Sequence, residues 1–304
     1  MAIKDPNFIL TFENGNEGEY KISSEESLLI KAIYASGTGS TEEYLQILVD
    51  RTSVGFYAIG GSRGNHLQYR RIEDPEDSNV LITLAKRGIF KGIPVGAGQI
   101  LSWKTKNGNN VTVTIEGELY DAGDIKPDME NGSQASSFVY LNYGIPSSDP
   151  SGAGDVLVDK TLNPAEYPDF PFAGTVPAKS KITIYGICAN DVAKSSDSGA
   201  DKVRTKYIKF VKGREVLFDP NRLGLVNIGI KPTSDGTFIS SGESVFGFNS
   251  TIDKKPAYFF RSPLVFSAGE ELNVFHDIEL LAGSMNLTKE DLMIALIMKY
   301  EKVE

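Results

Sequence analysis

Period-two alternation, recurring in short runs between turn residues, is what most limits the folds open to this chain. Val111-Thr-Val-Thr-Ile115 sets three β-branched apolar residues on one side and two threonines on the other. Runs of similar character lie at Lys181–Ile187, Thr205–Val211 and Leu223–Ile230, and Val80-Leu-Ile-Thr-Leu84 reads the same way. Successive side chains of a strand point to opposite faces, so each run buries one set against a core. Turn residues punctuate the whole sequence, which has 30 Gly and 14 Pro. Many short strands so divided predict sandwiches or barrels rather than βαβ units. Helices are expected to be few and short. Thr41-Glu-Glu-Tyr-Leu-Gln-Ile-Leu48 is the best candidate, with Ser40 or Thr41 placed to cap its free amides. Asn286–Tyr300 allows two readings. One is a helix with Thr288 as N-cap and Asp291 three residues on; the other is a short capped turn followed by a buried strand from Leu292 to Tyr300.

A length of 304 residues suits about two domains at roughly 150 residues each. The character of the chain changes near its middle. Ser147–Asp155 is turn-forming, and Asn163–Phe172 carries three prolines, a composition suited to a linker. The expected organisation is an N-terminal arm at 1–18, a first β-domain at 19–146, a linker at 147–175 and a second β-domain at 176–304.

The two halves resemble each other. Ala97-Gly98-Gln99-x-Leu101 matches Ala268-Gly269-Glu270-x-Leu272. Each kernel follows an arginine (Arg87 or Arg261) and a short apolar run. Each precedes an apolar segment that ends in Tyr-acid, Tyr120-Asp121 or Tyr300-Glu301. Earlier in each half, Ala32-Ile-Tyr-Ala-Ser36 pairs with Gly186-Ile-Cys-Ala-Asn190. The matches are collinear, so the sequence predicts a duplicated β-domain. The kernel itself reads as a turn, in which the glycine supplies a backbone conformation other residues resist and the leucine enters the core as the next strand begins. Such a turn before a final long strand suits the end of a jelly roll, in which two four-stranded sheets pack through two Greek keys. The fold class expected is all-β: two tandem jelly-roll sandwiches with few short helices.

Composition removes several classes of function. There are 31 Lys+Arg against 40 Asp+Glu, a net charge of −9, which argues against sequence-specific or mainly electrostatic nucleic-acid binding. No apolar run approaches the ~20 residues of a membrane-spanning helix. The opening residues lack the pattern of a secretory signal. A single cysteine, Cys188, cannot form an intrachain disulfide, so a reducing compartment is expected, and Asn-x-Ser/Thr sites such as Asn110 and Asn286 carry no weight. Two histidines, His66 and His276, are too few for a Cys/His zinc site or a cupin-type site.

Duplicated sandwiches in an acidic, cysteine-poor chain of this length resemble the double jelly-roll major capsid proteins of tailless icosahedral viruses and phages, many with an internal membrane. The resemblance runs from about Glu19 to Glu304 and rests on architecture and the repeat, with no diagnostic motif. It implies a structural protein rather than an enzyme, with no catalytic, metal or cofactor residues. It also implies a homotrimer whose six jelly rolls form a pseudo-hexagonal tile. Neighbouring capsomers, minor capsid or vertex proteins and an underlying lipid membrane would be its partners, in a virion capsid assembled in the host cytoplasm. The arm at 1–18 would then tie neighbouring tiles or touch the membrane.

Chemical motifs offer alternatives. Gly60-Gly61-Ser62-Arg63-Gly64 matches the G-x-S-x-G turn of α/β-hydrolases, with His276 and Asp277 late in the chain, where that family places its histidine. The strand–helix rhythm of a parallel sheet is missing, so an interstrand loop is the expected reading of Ser62. Ser36–Thr41 precedes the candidate helix and offers a phosphate cradle, without the lysine of a P-loop. Asp121, Asp124, Asp128 and Glu130, or Asp149, Asp155 and Asp159, supply oxygens for Ca²⁺ but lack EF-hand spacing. Cys188 and Trp103 read as core. Tyr69-Arg-Arg71 is answered by Glu73, Asp74, Glu76 and Asp77 and reads as surface pairing. A two-domain carbohydrate-binding or adhesin module is the remaining alternative.

Overall fold

The structure, a computed structural model, describes residues 3–39, 41–61, 65–68, 79–125, 139–162, 170–172, 174–189, 193–195, 201–217, 225–226 and 258–303. The chain divides into two compact units. One is Met1–Leu141 with Lys299–Glu301, and the other is Asn142–Met298 with Lys302–Glu304.

In the first unit the strands run β1 (Ile3–Gly15), β2 (Glu17–Lys21), β3 (Glu26–Ala35), β4 (Tyr44–Val49) and β5 (Thr52–Ala58). After the short helix α1 (Val80–Lys86) come β6 (Ile93–Val95), β7 (Ile100–Thr105) and β8 (Val111–Asp121). They pair antiparallel from the outside inward: β1 with β8, β2 with β7, β3 with β6 and β4 with β5. A ribbon paired in this way and rolled on itself puts alternate pairs into opposite sheets. The sheets are β1-β8-β3-β6 and β2-β7-β4-β5, the order of a jelly roll.

The second unit continues with β9 (Val139–Ile145), β10 (Gly154–Leu157), β11 (Lys160–Thr161), β12 (Ser180–Ala189), β13 (Ala193–Ser195) and β14 (Lys202–Lys212). It ends with β15 (Glu215–Val216), β16 (Leu225–Val226), β17 (Tyr258–Ser267), β18 (Leu272–Ala282) and β19 (Ile294–Lys302). Its nesting is the same. β9 lies beside β19, β10 pairs with β18, β12 with β17, and β14 with β15 and β16. The sheets are β11-β9-β19-β12-β17 and β10-β18-β14-β13. The chain is all-β, two tandem jelly-roll sandwiches with one short helix among the described residues.

The alternation works as the chemistry requires. Val111, Val113 and Ile115 of β8 are buried while Thr112 and Thr114 are half-exposed. Leu272, Val274, His276 and Ile278 form the buried face of β18. Burying each such aliphatic side chain stabilises by about 1.5–3 kcal/mol. Between the sheets of the first roll, Trp103 of β7 meets Phe12 of β1 edge-on at 5.7 Å. In the second roll, Phe210 of β14 meets Phe260 of β17 at 5.9 Å.

Several expectations are corrected. Residues 44–49 form a strand, not part of a helix, because Tyr44, Leu45, Ile47 and Val49 bury on both faces and leave no exposed helical stripe. Val80–Leu84 is the helix instead. Asn79 accepts from the Leu81 and Ile82 amides, and Val80, Leu81 and Leu84 share a buried helical face. The first 18 residues are not an arm: Phe8, Leu10 and Phe12 alternate inward along β1. The stretch 147–175 holds β10 and β11, so it is not wholly a linker. Asn286–Tyr300 follows the second of its two readings, a capped turn leading into β19. Of the expected strand Leu223–Ile230, only Leu225–Val226 falls within the described residues.

Candidate functional site

The repeated kernel builds the same corner in both rolls. Gly98 and Gly269 have φ of 75° and 80°, in the left-handed region where glycine costs least. The next residue folds its side chain back onto the turn. Gln99 Oε1 accepts from the Gly96 amide at 2.7 Å, and Glu270 Oε2 from the Ser267 amide at 2.6 Å. Main-chain bonds match as well. The Gln99 carbonyl accepts from Ile22 N at 2.9 Å, and the Glu270 carbonyl from Val176 N at 3.0 Å. Leu101 and Leu272 then enter the cores fully buried.

What the corner touches differs in charge. In the first roll, Gln99 Nε2 donates to Asp50 Oδ2 at 2.9 Å, while Asp50 Oδ1 accepts from the Ile100 amide at 2.9 Å. In the second, Glu270 Oε1 pairs with the Lys212 ammonium at 2.8 Å, and that ammonium lies 4.9 Å from the centre of the Phe266 ring. The bond from Lys212, then the Ser267 amide, hold the Glu270 carboxyl below its ordinary pKa.

Two buried polar groups pin the loops before the last strands. Glu43 is wholly buried, and its carboxylate accepts four bonds: from Tyr44 N (2.8 Å), Asn107 N (2.9 Å), Asn109 N (3.0 Å) and Asn109 Nδ2 (2.8 Å). This ties the β7–β8 loop to the start of β4. His276 is also fully buried, and its Nε2–H donates to the Leu292 carbonyl at 2.9 Å. Nδ1 therefore accepts from the Thr205 hydroxyl at 3.1 Å. Burial lowers the His276 pKa to about 4, against a smaller opposing pull from the Leu292 carbonyl.

The candidates named from sequence do not converge. Ser62 lies outside the described residues, as do Asp128, Glu130 and Tyr69–Asp77. His276 and Asp277 are adjacent on β18, so they point to opposite faces and form no His–Asp dyad. Ser36–Thr41 leads into a strand, and Ser36 Oγ accepts from Thr112 N, so no helix N-terminus stands there. Asp149 accepts from Lys289 N, Asp155 pairs with Lys209, and Asp159 accepts from Ser147 N, three separate engagements. Among the described residues no group of three or more His, Cys, Asp or Glu is placed to hold a metal. His66 and Trp103 are buried in the first roll. Cys188 is buried in the second, where desolvation pushes its thiol up to about 12. In the sequence Glu43 carries no signal beyond being an acid beside an apolar run.

Among the described residues of the first roll, the exposed large apolar side chains are Ile3 and Ile9 on β1, Tyr20 on β2 and Ile100 on β7, Ile9 being 62% exposed. Phe8 and Tyr20 bring their rings to 5.9 Å.

No family model matches the chain, and no curated protein matches it. Among solved structures it is similar to PNGase F, a glycosylasparaginase from Flavobacterium meningosepticum, at 11% identity and a TM-score of 0.31, covering 98% of this chain and 96% of that one. A recombinant N-glycanase F (PNGase F) gives 12% identity and a TM-score of 0.29 over the same shares. Because these neighbours are enzymes, the expectation that the chain is not an enzyme is withdrawn. Likeness at this level brings neither an activity nor a site to the chain.

Proposed function

We propose that the chain is a major capsid protein, a trimeric tile of an icosahedral virion shell. The observation that supports this is the duplication: two jelly rolls with the same nested pairing of strands, joined in one chain. A threefold ring of such chains presents six similar blocks, and near-equivalent sides are what a hexagonally tiled closed shell requires. The corners formed by Gly98 and Gly269 and the loop pins at Glu43 and His276 fix the ends of the sandwiches, leaving the other loops free to vary. Neighbouring tiles, minor capsid and vertex proteins and an underlying lipid membrane are the partners in this reading. The net charge of −9 suits a tile that leaves genome condensation to other components.

Light scattering after size exclusion tests the reading. A native mass of three times 33.1 kDa, or of larger shells, is the expected result. A 33.1 kDa species at every concentration would count against it.

A further inference from the structure

The sheet of each roll that holds its first and last strands has two edges. The β6 edge carries Pro94, the β17 edge Pro263 and the β1 edge Pro6 near its start, and proline has no amide to donate. In the second roll the edge of β9 is covered by β11. Lys160 stands opposite Ile145 and Thr161 opposite Gly144, and Leu162 N donates to the Tyr143 carbonyl at 2.8 Å. The equivalent strand of the first roll is β1, which among the described residues pairs with β8 alone.

From Phe8 to Gly15 that open edge has no proline and no lysine, the usual guards against strand addition. It also carries Ile9, the most exposed large apolar side chain among the described residues. The internal duplication indicates what fills such an edge, because at the same place in the second roll it is an extended segment of this very chain. We infer that the free edge of β1 is an inter-chain pairing site, filled by an extended segment of a second copy of the protein. Main-chain bonds would supply the affinity and Ile9 the apolar anchor. The inference rests on the tile reading and names one of its contacts.

The test compares wild type, Ile9→Lys and a control on the other roll, Leu281→Lys, by light scattering across a concentration series. It adds hydrogen exchange of the wild type at high and low concentration. Ile9→Lys is expected to raise the half-association concentration by on the order of tenfold or more while leaving the thermal midpoint of the dissociated chain unchanged. Leu281→Lys is expected to behave as wild type, and the amides of 8–15 to gain protection on association. A trimer that survives Ile9→Lys with no added protection over 8–15 overturns this inference and leaves the tile reading standing. An equal loss in Leu281→Lys overturns the assignment to this edge. A wild type that is monomeric at every concentration overturns both. Should Ile9→Lys fail to fold, the exchange measurement on wild type decides alone.

Discussion

The loop before the last strand is secured differently in the two rolls. In the first, a wholly buried carboxylate, Glu43, gathers four donors from its own amide neighbour and from Asn107 and Asn109. In the second, Asp201 at the head of β14 accepts from Ser284 N at 2.6 Å on the exposed side. The buried work there falls to His276 and to an apolar cluster of Val203, Ile278, Leu287 and Leu292. One architecture thus tolerates a charge-organised loop and a hydrophobically organised one. The first depends on every donor staying paired, whereas the second depends on a ring staying neutral.

Removing the pins should separate the rolls most sharply. Glu43→Ala leaves buried amides without an acceptor and should destabilise the first roll by about 3–5 kcal/mol. Asp201→Ala removes a solvent-accessible cap and should cost about 0.5–1 kcal/mol. Denaturant titration followed by Trp103 fluorescence, which reports the first roll, checks the pair; equal losses would mean the loops are held alike.

Acid should act on the second roll through His276. In the unfolded chain the ring binds a proton near 6.5, and in the fold only near 4. Between those values the unfolded state holds more protons, so stability falls as pH drops from 6.5 and levels off below 4, a loss of about 3 kcal/mol. Glu270, held below 4.5 by Lys212 and the Ser267 amide, adds its own loss only at the acid end of that window. His276→Gln should flatten the slope between pH 6.5 and 4.5 while lowering stability at neutral pH. An unchanged slope would mean that the ring does not report on the fold.

Much of this architecture was legible because its signals are local. The kernel glycines and the β8 alternation follow from backbone sterics and from burial of a single face. Residues 44–49 look helical in the sequence because they are buried on both sides, so no period survives, while Glu42-Glu43 imitates the acidic first turn of a helix. Val80–Leu84 looks like a strand in the sequence because five residues fit either period, and Asn79, the cap that decides, sits just outside the run. β1 was hidden by Pro6 and by the Asn14-Gly15 turn, although Phe8, Leu10 and Phe12 keep the alternation. Nothing local marks Glu43 as a hub, since two of its donor residues, Asn107 and Asn109, lie more than sixty positions away.

The smallest effect tests the corners themselves. Gln99 and Glu270 occupy one position of the repeat, and each folds back onto its own turn, yet one faces the Asp50 carboxylate and the other the Lys212 ammonium. Gln99→Glu keeps an acceptor for the Gly96 amide but sets a second carboxylate against Asp50. Glu270→Gln likewise keeps an acceptor for the Ser267 amide while discarding the charge that Lys212 meets. Both sites are accessible to water, so each change should cost no more than about 0.5–1 kcal/mol at low salt. Added salt should then tell them apart. Screening relieves the repulsion that Gln99→Glu introduces, so that variant should move toward wild type. Screening also weakens the wild-type Glu270–Lys212 pair, so Glu270→Gln should draw level because the wild type itself loses stability. Thermal melts of the four combinations at low and high salt give both comparisons. Salt-independent differences would place the effect in the turn hydrogen bond rather than in the charge, and would make the two corners equivalent in energy as well as in shape.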